Sequence, residues 1–312
     1  MNPKQPHDKF FKETFSRKEV ARDYIDQFLP ADISENLDLR TLQLSETSHI
    51  DEELQEHLSD IVYYCRWKSK VNVRVSLLFE HKSYPEKYPH LQLLRYLSGT
   101  WEYDLREQQT LTVTIPIIVY HGKKKWNYKS FPAYFPISKI GTEGPLTRYI
   151  PKFDYHLTDL THYTDEQLLA LKMGYLVNTL LALKHRREDA YIKAHFERLF
   201  VYAEQYLESE RGRNFLEIVV VYILQTTELN RKEIVGLVQK LPKQLNDLTM
   251  STYDMILLEG EKKGRKEGKI EAIKTTVIRM IRKFPKWSNE EISELTGASV
   301  NFVEKIRKEL KK

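Results

Sequence analysis

Three residues in one short region have side chains suited to phosphodiester chemistry: Asp60, Glu80 and Lys82. Carboxylate oxygens, together with a backbone carbonyl such as that of His81, are the hard ligands that Mg²⁺ prefers. A bound divalent ion polarises a phosphate and lowers the pKa of a water molecule, and a nearby ammonium group orients that water or offsets developing charge. These residue types therefore predict a site for Mg²⁺, or for Mn²⁺ in its place, with Asp60, Glu80 and the carbonyl of His81 as ligands and Lys82 beside them.

The spacing of these residues is a weak signal when it is taken alone. An acidic residue followed at a distance by Glu-x-Lys occurs by chance in many charged chains, and a solvated strand end explains it without any chemistry. On spacing alone this plainer interpretation is favoured. The predicted secondary structure around the three residues must therefore show whether they can form one site.

Alternation of apolar and polar residues over 58–82 predicts a β-hairpin that turns at Lys68-Ser69-Lys70. A period of two is that of a strand and not of a helix. The alternation puts Glu80 and Lys82 on one face at the end of the second strand, and the residue between them on the other face. Asp60 opens the first strand, so antiparallel pairing would bring it to that same end.

Flanking segments complete an αβββαβ order. We expect a helix over 8–28, strands over 38–45, 60–67 and 71–80, a helix over 90–106, a strand over 112–120 and an edge strand within 154–160. The strand over 112–120 follows a helix, which permits a parallel crossover. The order predicts an α/β fold with a mixed sheet, followed by a helical C-terminal region.

Six segments between His7 and Trp126 resemble the recombination-promoting nuclease (Rpn) and transposase-like family, a branch of the PD-(D/E)xK nuclease superfamily. They are HDKFFKETF (7–15), ARDYIDQFLP (21–30), SDIVYYCRW (59–67), LLFEHKSYPE (77–86), LQLLRYLSGTWE (91–102) and IPIIVYHGKKKW (115–126). The resemblance implies a restriction-endonuclease-like core and a metal-dependent DNA endonuclease that promotes recombination or transposition. It sets Asp60 and Glu80 at the family's acidic positions. No proline precedes Asp60, and many members carry glutamine where this chain has Lys82, the residue of the wider superfamily.

Gln92 and Tyr96 resemble a Q-x-x-x-Y motif that follows the E-x-K strand in exonuclease-like relatives. Residues four apart share a helix face, so both could reach DNA or the groups around the site. A core role explains Tyr96 equally well, and a surface position for Gln92 is the favoured alternative. His7 and Asp8 match the family's opening motif, but the sequence assigns them no role.

Composition indicates a cytoplasmic protein without a membrane span. The chain has 312 residues, of which 41% are hydrophobic and 30% charged. No apolar run approaches the length that a bilayer requires, and the N-terminus lacks the apolar core of a signal peptide. Cys65 is the only cysteine, which excludes an intrachain disulfide and suits a reducing compartment.

We predict three segments: a nuclease core over 1–150, a helical appendage over 151–250 and a basic helical tail over 251–312. Glycines recur every four residues in the tail, at Gly260, Gly264 and Gly268. They indicate either a self-association helix over 251–284 that makes a homo-oligomer or a flexible linker, and neither is favoured.

The end of the tail resembles a helix-turn-helix. A capping box at Ser288 begins one short helix, Gly297 ends it, and a second helix follows with Val300, Val303, Ile306 and Leu310 expected to face inward. Basic residues of the second helix could contact DNA phosphates, namely Lys305, Arg307 and Lys308. A helical hairpin that does not touch DNA has at least equal support.

The leading hypothesis is a Mg²⁺-dependent endonuclease that hydrolyses DNA phosphodiester bonds. The alternative is a non-catalytic DNA-binding or self-associating protein built on a degenerate nuclease core. The presence of Asp60, Glu80 and Lys82 favours the first hypothesis, because a degenerate core would be free to lose them.

Overall fold

A five-stranded sheet is the centre of the fold in the computed structural model, which describes residues 6–45, 61–69, 73–107, 110–136, 145–171 and 173–310. The strands are β1 (Leu37–Leu44), β2 (Ile61–Trp67), β3 (Val73–Lys82), β4 (Val113–Tyr120) and β5 (His156–Asp159). Their spatial order is the same as their order in the sequence. The first three strands are antiparallel to one another, whereas β3, β4 and β5 are parallel. The predicted mixed sheet, the hairpin and the parallel crossover are thus confirmed.

Both faces of this sheet are covered by helices. On one face lie α1 (Pro6–Phe15) and α2 (Lys18–Phe28), followed by the short α3 (Ala31–Ser34), and on the other lies α4 (Pro89–Glu107). On the first face, the Phe79 ring of β3 packs against α2, with its centroid 5.4 Å from that of Tyr24. Burial on both faces explains why β4 is one continuous apolar run and not an alternating one.

The single helix expected over 8–28 is wrong, because the chain turns between α1 and α2. Arg17 has an extended backbone, with φ −79° and ψ 118°. Its guanidinium donates to the carbonyl of Arg211, 3.1 Å away, in a helix that follows far along the chain. The only local signal of the break is the gap between buried Phe15 and the next buried residue, Val20.

A helical region follows the sheet. Its α-helices are α5 (Asp165–Leu169), α6 (Gly174–Lys184), α7 (Asp189–His195), α8 (Glu210–Thr226) and α9 (Arg231–Val238). The segment 185–209 is not one continuous helix, because α7 gives way to 3₁₀ turns at Phe196–Phe200 and Ala203–Tyr206. The segment before it is likewise divided into two helices, α5 and α6.

This helical region packs on the sheet and its first helix. The rings of Phe10 in α1 and Tyr222 in α8 are stacked with centroids 4.0 Å apart. Residues 1–250 accordingly form one compact unit, and 251–312 form a second. The segments 1–150 and 151–250, which the sequence distinguishes, both lie in the first unit.

The longest helix, α10 (Lys243–Lys283), begins in the first unit and continues into the second. It was expected to begin near Ser251, but the carbonyl of Pro242 already accepts its first hydrogen bond, from the amide of Asn246. Proline is tolerated there because it precedes the helix interior. The three tail glycines lie inside α10, so the flexible-linker interpretation is wrong. Self-association through residues 251–284 stays a prediction.

The second unit ends in α11 (Asn289–Thr296) and α12 (Val300–Glu309). The predicted capping box at Ser288 is confirmed, and Gly297 has the left-handed φ of 68° that glycine adopts most readily. The core of this unit contains Val277, Ile281, Ile292, Val303 and Ile306. Val300 and Leu310, expected to face inward, are 36% and 39% exposed, because they lie at the ends of the helix segment and outside this core.

Among the described residues, no helix combines the length and the apolar character needed to cross a bilayer. The cytoplasmic location stays a prediction.

Candidate active site

The side chains of Glu80 and Lys82 meet on the face of β3 that α4 covers. The Lys82 ammonium lies 2.8 Å from the Glu80 carboxylate oxygen Oε1. Glu80 is only 3% exposed, so this is a buried ion pair at the carboxyl end of a central strand. The expectation that the two side chains share a face is confirmed, because β3 remains extended as far as Lys82.

Gln92, in the first turn of α4, joins this pair into a hydrogen-bonded group. Its Oε1 accepts from the Lys82 ammonium at 2.6 Å, and its Nε2 donates to Glu80 Oε1 at 3.2 Å. The same Nε2 donates to the hydroxyl of Tyr96, one turn further along the helix. Gln92 is therefore not the surface residue that was favoured. Tyr96 is 5% exposed, so it is both a core residue and a member of the group.

The second carboxylate oxygen of Glu80 is chemically distinctive. Oε2 is buried, and no described residue offers it a hydrogen bond. Burying an anionic oxygen without a partner is costly, and a cation would satisfy it. This orphaned oxygen fits a metal ligand.

Asp104 of α4 is a structural carboxylate on the same side of the sheet, and its hydrogen bonding differs from that of Glu80. It is fully buried, yet both of its oxygens are satisfied. Oδ1 accepts from the Tyr64 hydroxyl at 2.8 Å, and Oδ2 accepts from the amide and the hydroxyl of Thr112 at 2.9 and 2.6 Å. Asp104 thus shows that a carboxylate buried against this sheet can be fully bonded, although Oδ2 of the buried Asp23 also has no hydrogen-bond partner among the described residues.

Asp60, the other predicted carboxylate ligand, lies outside the described residues. The register of β2 with β3 ends, among the described residues, at the pair Ile61 and Phe79. Within the described ranges, no group of three or more His, Cys, Asp or Glu side chains could hold a metal ion. The described part of the chain therefore supplies one side-chain ligand, Glu80, and the role of the His81 carbonyl stays a prediction.

The side chain of His81 lies on the opposite face of β3, against α1, as the alternation predicts. Its Nε2 is 3.5 Å from Asp8 Oδ1, and its Nδ1 is 3.4 Å from Nε2 of His121. The His7 and His121 rings meet edge to face, with centroids 5.5 Å apart. His7 and Asp8, to which the sequence assigns no role, thus pack behind the strand that carries Glu80.

Two histidines of this second cluster, His7 and His121, are held neutral. Burial, with the positive charge of Arg186 as a second cause, lowers the pKa of His7 to about 4. The same two causes hold the pKa of His121 well below its usual range. Uncharged rings can pack in such a site without the cost of burying a charge.

Arg186 is a structural residue of this region that the sequence did not reveal. Its guanidinium donates to the carbonyl of Ser83, just after β3, at 3.0 Å, and to the carbonyl of His121, just after β4. It therefore ties together the carboxyl ends of two parallel strands. The basic run at 185–187 suggests a solvated turn, and no local pattern encodes a contact across 103 residues.

Comparison with known proteins places this arrangement in a family. A family model described as "Putative transposase, YhgA-like" matches residues 5–214. The chain belongs to this YhgA-like family. The match spans the sheet, both clusters of β3 and Arg186, and it ends before α9 and the C-terminal unit.

Relatives of this YhgA-like protein carry names with different implications. Recombination-promoting nuclease RpnA of Escherichia coli K12 is 25% identical over 259 residues, covering 82% of this chain and 85% of its own length. RpnC of the same strain is 27% identical over 165 residues, 53% of each chain. The inactive nuclease-like protein RpnE, also of that strain, is 24% identical over 279 residues, covering 88% of this chain and 89% of RpnE. No solved structure matches the chain.

The three basic residues predicted to bind DNA lie on α12, outside the YhgA-like match. The Arg307 guanidinium donates to the side chain of Asn289 at 2.9 Å and so fastens the start of α11. Lys308 forms an ion pair of 2.6 Å with Glu304. Lys305 and Lys308 are exposed. Contact with DNA stays a prediction for all three, and the structure gives Arg307 a role within its own unit.

Proposed function

We propose that this protein is a metal-dependent DNA endonuclease that hydrolyses phosphodiester bonds at the carboxyl end of β3, with Mg²⁺ or Mn²⁺ as its cofactor. The observation that carries the proposal is the buried oxygen Oε2 of Glu80, which no described residue satisfies, beside the Lys82 ammonium. The names of RpnA and RpnC support a nuclease role in recombination. RpnE is named inactive, so the residues of this chain carry the argument.

Glu80 would hold the cation together with Asp60 and the carbonyl of His81. One further step in the register of β2 and β3, beyond Ile61 and Phe79, would put Asp60 opposite Glu80. When bound, the divalent ion supplies Lewis-acid activation of the phosphate and of the attacking water.

Lys82 has the geometry to act on the phosphate. An ammonium has three donors. One donor of Lys82 is directed to Glu80 and another to Gln92. The third could donate to a phosphate oxygen or to the attacking water, where it would offset the negative charge that develops in the transition state.

Gln92 acts as a positioning residue in this proposal. Its carbonyl oxygen holds the ammonium, and its amide nitrogen holds the carboxylate. Both contacts come from one side chain of a helix that is packed on the sheet, which limits the freedom of the charged pair. A fixed arrangement of this kind lowers the cost of reaching the reactive geometry.

A plasmid-nicking assay on the full-length protein tests the proposal. Supercoiled DNA should be nicked with Mg²⁺ or Mn²⁺ and not with EDTA, and both Glu80→Gln and Asp60→Asn should be inactive. If the wild-type protein did not nick DNA with either ion, or if Glu80→Gln nicked it at the wild-type rate, the proposal would be wrong.

A non-catalytic DNA-binding protein is the second candidate, and the extensive match with the inactive RpnE is the observation that favours it. In that case the wild-type protein would bind DNA, and neither metal would produce nicks. Measuring binding and nicking on the same preparation distinguishes the two candidates.

A further inference from the structure

A groove with a volume of about 440 Å³ lies between two segments of the first unit, 85–88 and 125–134. We call it the Lys125 groove. The first segment follows β3 and the second follows β4, and these strands are paired in parallel up to Lys82 and Tyr120. The groove is therefore built from the loops at the end of the sheet where Lys82 stands. Loops at the carboxyl ends of parallel strands are where open α/β sheets bind ligands.

The Lys125 groove has a basic lining. Lys87, Lys125 and Lys129 line it, and all three are exposed. Residues 121–136 contain four lysines and no acidic residue. The one acid in the lining, Glu86, has its Oε1 directed at the backbone amide of Lys87, 2.9 Å away. The charge of the groove thus suits an anion such as a phosphate.

Aromatic rings lie beside these lysines. Tyr88 is 41% exposed, although a ring that served only the core would be buried. Its ring meets that of Tyr134 edge to face, with centroids 5.3 Å apart, and the Lys87 ammonium lies 5.1 Å from its centroid. Exposed rings interleaved with lysines are the combination that binds single-stranded nucleic acid, because bases stack on the rings and phosphates meet the charges.

The segment 125–134, which forms the second wall of the groove, is fixed by contacts with buried residues beneath it. The backbone amide of Trp126 donates to the buried Asp159 at 2.9 Å, and its indole donates to Tyr155 at 3.1 Å. Under the other end of this wall, the Phe131 ring is stacked on the fully buried His90, with centroids 5.0 Å apart. A wall that is already ordered loses little freedom when a ligand binds.

We propose that the Lys125 groove binds a single-stranded segment of DNA, with a base stacked on Tyr88 and the flanking phosphates on Lys87, Lys125 and Lys129. A paired base is stacked between its neighbours, so only an unpaired one presents its face to a side chain. The proposal rests on the proposed nuclease function and specifies its substrate class: DNA with an unpaired segment next to the cleaved bond, such as a flap or a gap.

The test measures binding in EDTA by the fluorescence anisotropy of a labelled oligothymidylate of about 16 nucleotides and of a duplex of the same length. Tyr88→Leu should weaken single-strand binding roughly fivefold to a hundredfold, and duplex binding much less. Tyr88→Phe, which keeps the ring, should bind as the wild type does. Tyr149→Leu is the matched control, because Tyr149 is 72% exposed and lies outside the groove.

Lysine variants provide a second measurement that does not depend on Tyr88→Leu folding. Lys125→Gln should weaken binding and reduce the salt slope by about 0.7, the value for one phosphate of a single strand. Lys123→Gln, an exposed neighbour that does not line the groove, should leave the slope unchanged. Equal effects of the two lysine variants would overturn the proposal, as would unchanged single-strand binding by Tyr88→Leu or an equal loss on duplex.

Binding in EDTA separates this proposal from the nuclease function. Tyr88-dependent binding by a wild-type protein that never nicks DNA would support the groove and contradict the nuclease. Nicking that depends on Glu80, without any single-strand binding by the groove, would support the nuclease and contradict the groove.

Discussion

The two faces of β3 hold different kinds of buried polar group. On the α1 face, His81 lies among His7, His121 and Asp8, and the pKa values of His7 and His121 are lowered, so these rings are neutral. On the α4 face, Glu80 keeps one oxygen that no described residue satisfies. The α1 face therefore buries two uncharged rings, whereas the α4 face buries a carboxylate with an oxygen that a cation would complete.

This difference separates a structural cluster from a candidate catalytic one. Burial alone does not mark a functional site, since both faces are buried and polar. The useful criterion is an unmet bonding requirement on a carboxylate oxygen at the strand end where a lysine and a glutamine already converge. Such a requirement costs stability and persists only where something else is gained. Each experiment below changes one face and asks whether stability or activity responds.

The largest expected effect distinguishes Glu80 from Asp104. Glu80→Gln should reduce metal-dependent nicking by about a thousandfold or more, because the amide is a poor ligand for the cation. Its stability should fall less than that of Asp104→Asn, because the amide oxygen still accepts from Lys82 and the removal of an unsatisfied buried oxygen offsets part of the lost ion pair. Nicking rates and urea unfolding, measured on the same samples, check both statements.

Asp104→Asn is the matched control on the same side of the sheet. Its carboxylate is fully bonded, so the change should cost about 1–3 kcal/mol of stability and leave nicking of the folded protein nearly unchanged. If the two variants lost stability equally, the contrast between an open and a satisfied carboxylate would not hold.

Lys82 should give the next largest effect. Lys82→Ala should lower the nicking rate by about a hundredfold to a thousandfold, because the charge that offsets the transition state is lost. Affinity for the metal, read from the Mg²⁺ concentration at half-maximal rate, should change much less. Lys82→Gln keeps a donor and should retain more of the rate than Lys82→Ala. Equal rates for Lys82→Ala and the wild type would limit Lys82 to pairing with Glu80.

The sequence predicts the strand end of this site well because its geometry is local. Alternation within one strand decides which face Glu80 and Lys82 share, and a period of two tolerates errors at the strand ends. The same alternation placed His81 on the other face. The β2–β3 pairing follows from proximity along the chain, as it does in any short hairpin.

Contacts between distant segments could not be predicted in this way. The spacing of Gln92 and Tyr96 shows that they share a helix face, but not that this face meets Lys82. Arg186 and Ser83 are brought together only by the complete fold, and the guanidinium of Arg17, at the break between α1 and α2, bonds to a carbonyl 194 residues away. Periodicity reports which residues are buried, whereas these contacts depend on which buried surfaces meet.

The α1 face should respond to acid. The pKa of His7 falls from 6.5 in the unfolded chain to about 4 in the folded protein. A lowered pKa stabilises the fold fully above pH 6.5, and this contribution is lost as the pH falls toward about 4. Because His7 is only partly buried, solvent screening keeps its contribution below the roughly 1.4 kcal/mol per pKa unit of a fully buried group, and His121 adds in the same direction.

Urea unfolding of the wild type and His7→Gln between pH 7 and pH 4 measures this contribution. The variant should lose less stability over that interval, because its side chain does not titrate. If the free energy of unfolding fell equally with pH in both proteins, the pKa of His7 would not be lowered by folding, and the α1 face would not hold a neutral His7.

The smallest expected effect concerns the support for the charged pair. Tyr96→Phe removes the hydroxyl that accepts from Gln92 but keeps the ring that packs in the core. It should cost about 0.5–1.5 kcal/mol of stability. The nicking rate should fall only a few-fold, since Gln92 still bonds to both Glu80 and Lys82. Gln92→Leu removes both of those contacts and should lower the rate more than Tyr96→Phe does, with a larger loss of stability because two buried charged groups lose a partner. That order of rates, measured at saturating Mg²⁺, is what a positioning role predicts.

The contradicting outcome would be that Tyr96→Phe slows nicking as much as Gln92→Leu does. In that case the Tyr96 hydroxyl itself would act in catalysis, and the active site would extend one helical turn beyond the residues that contact Glu80.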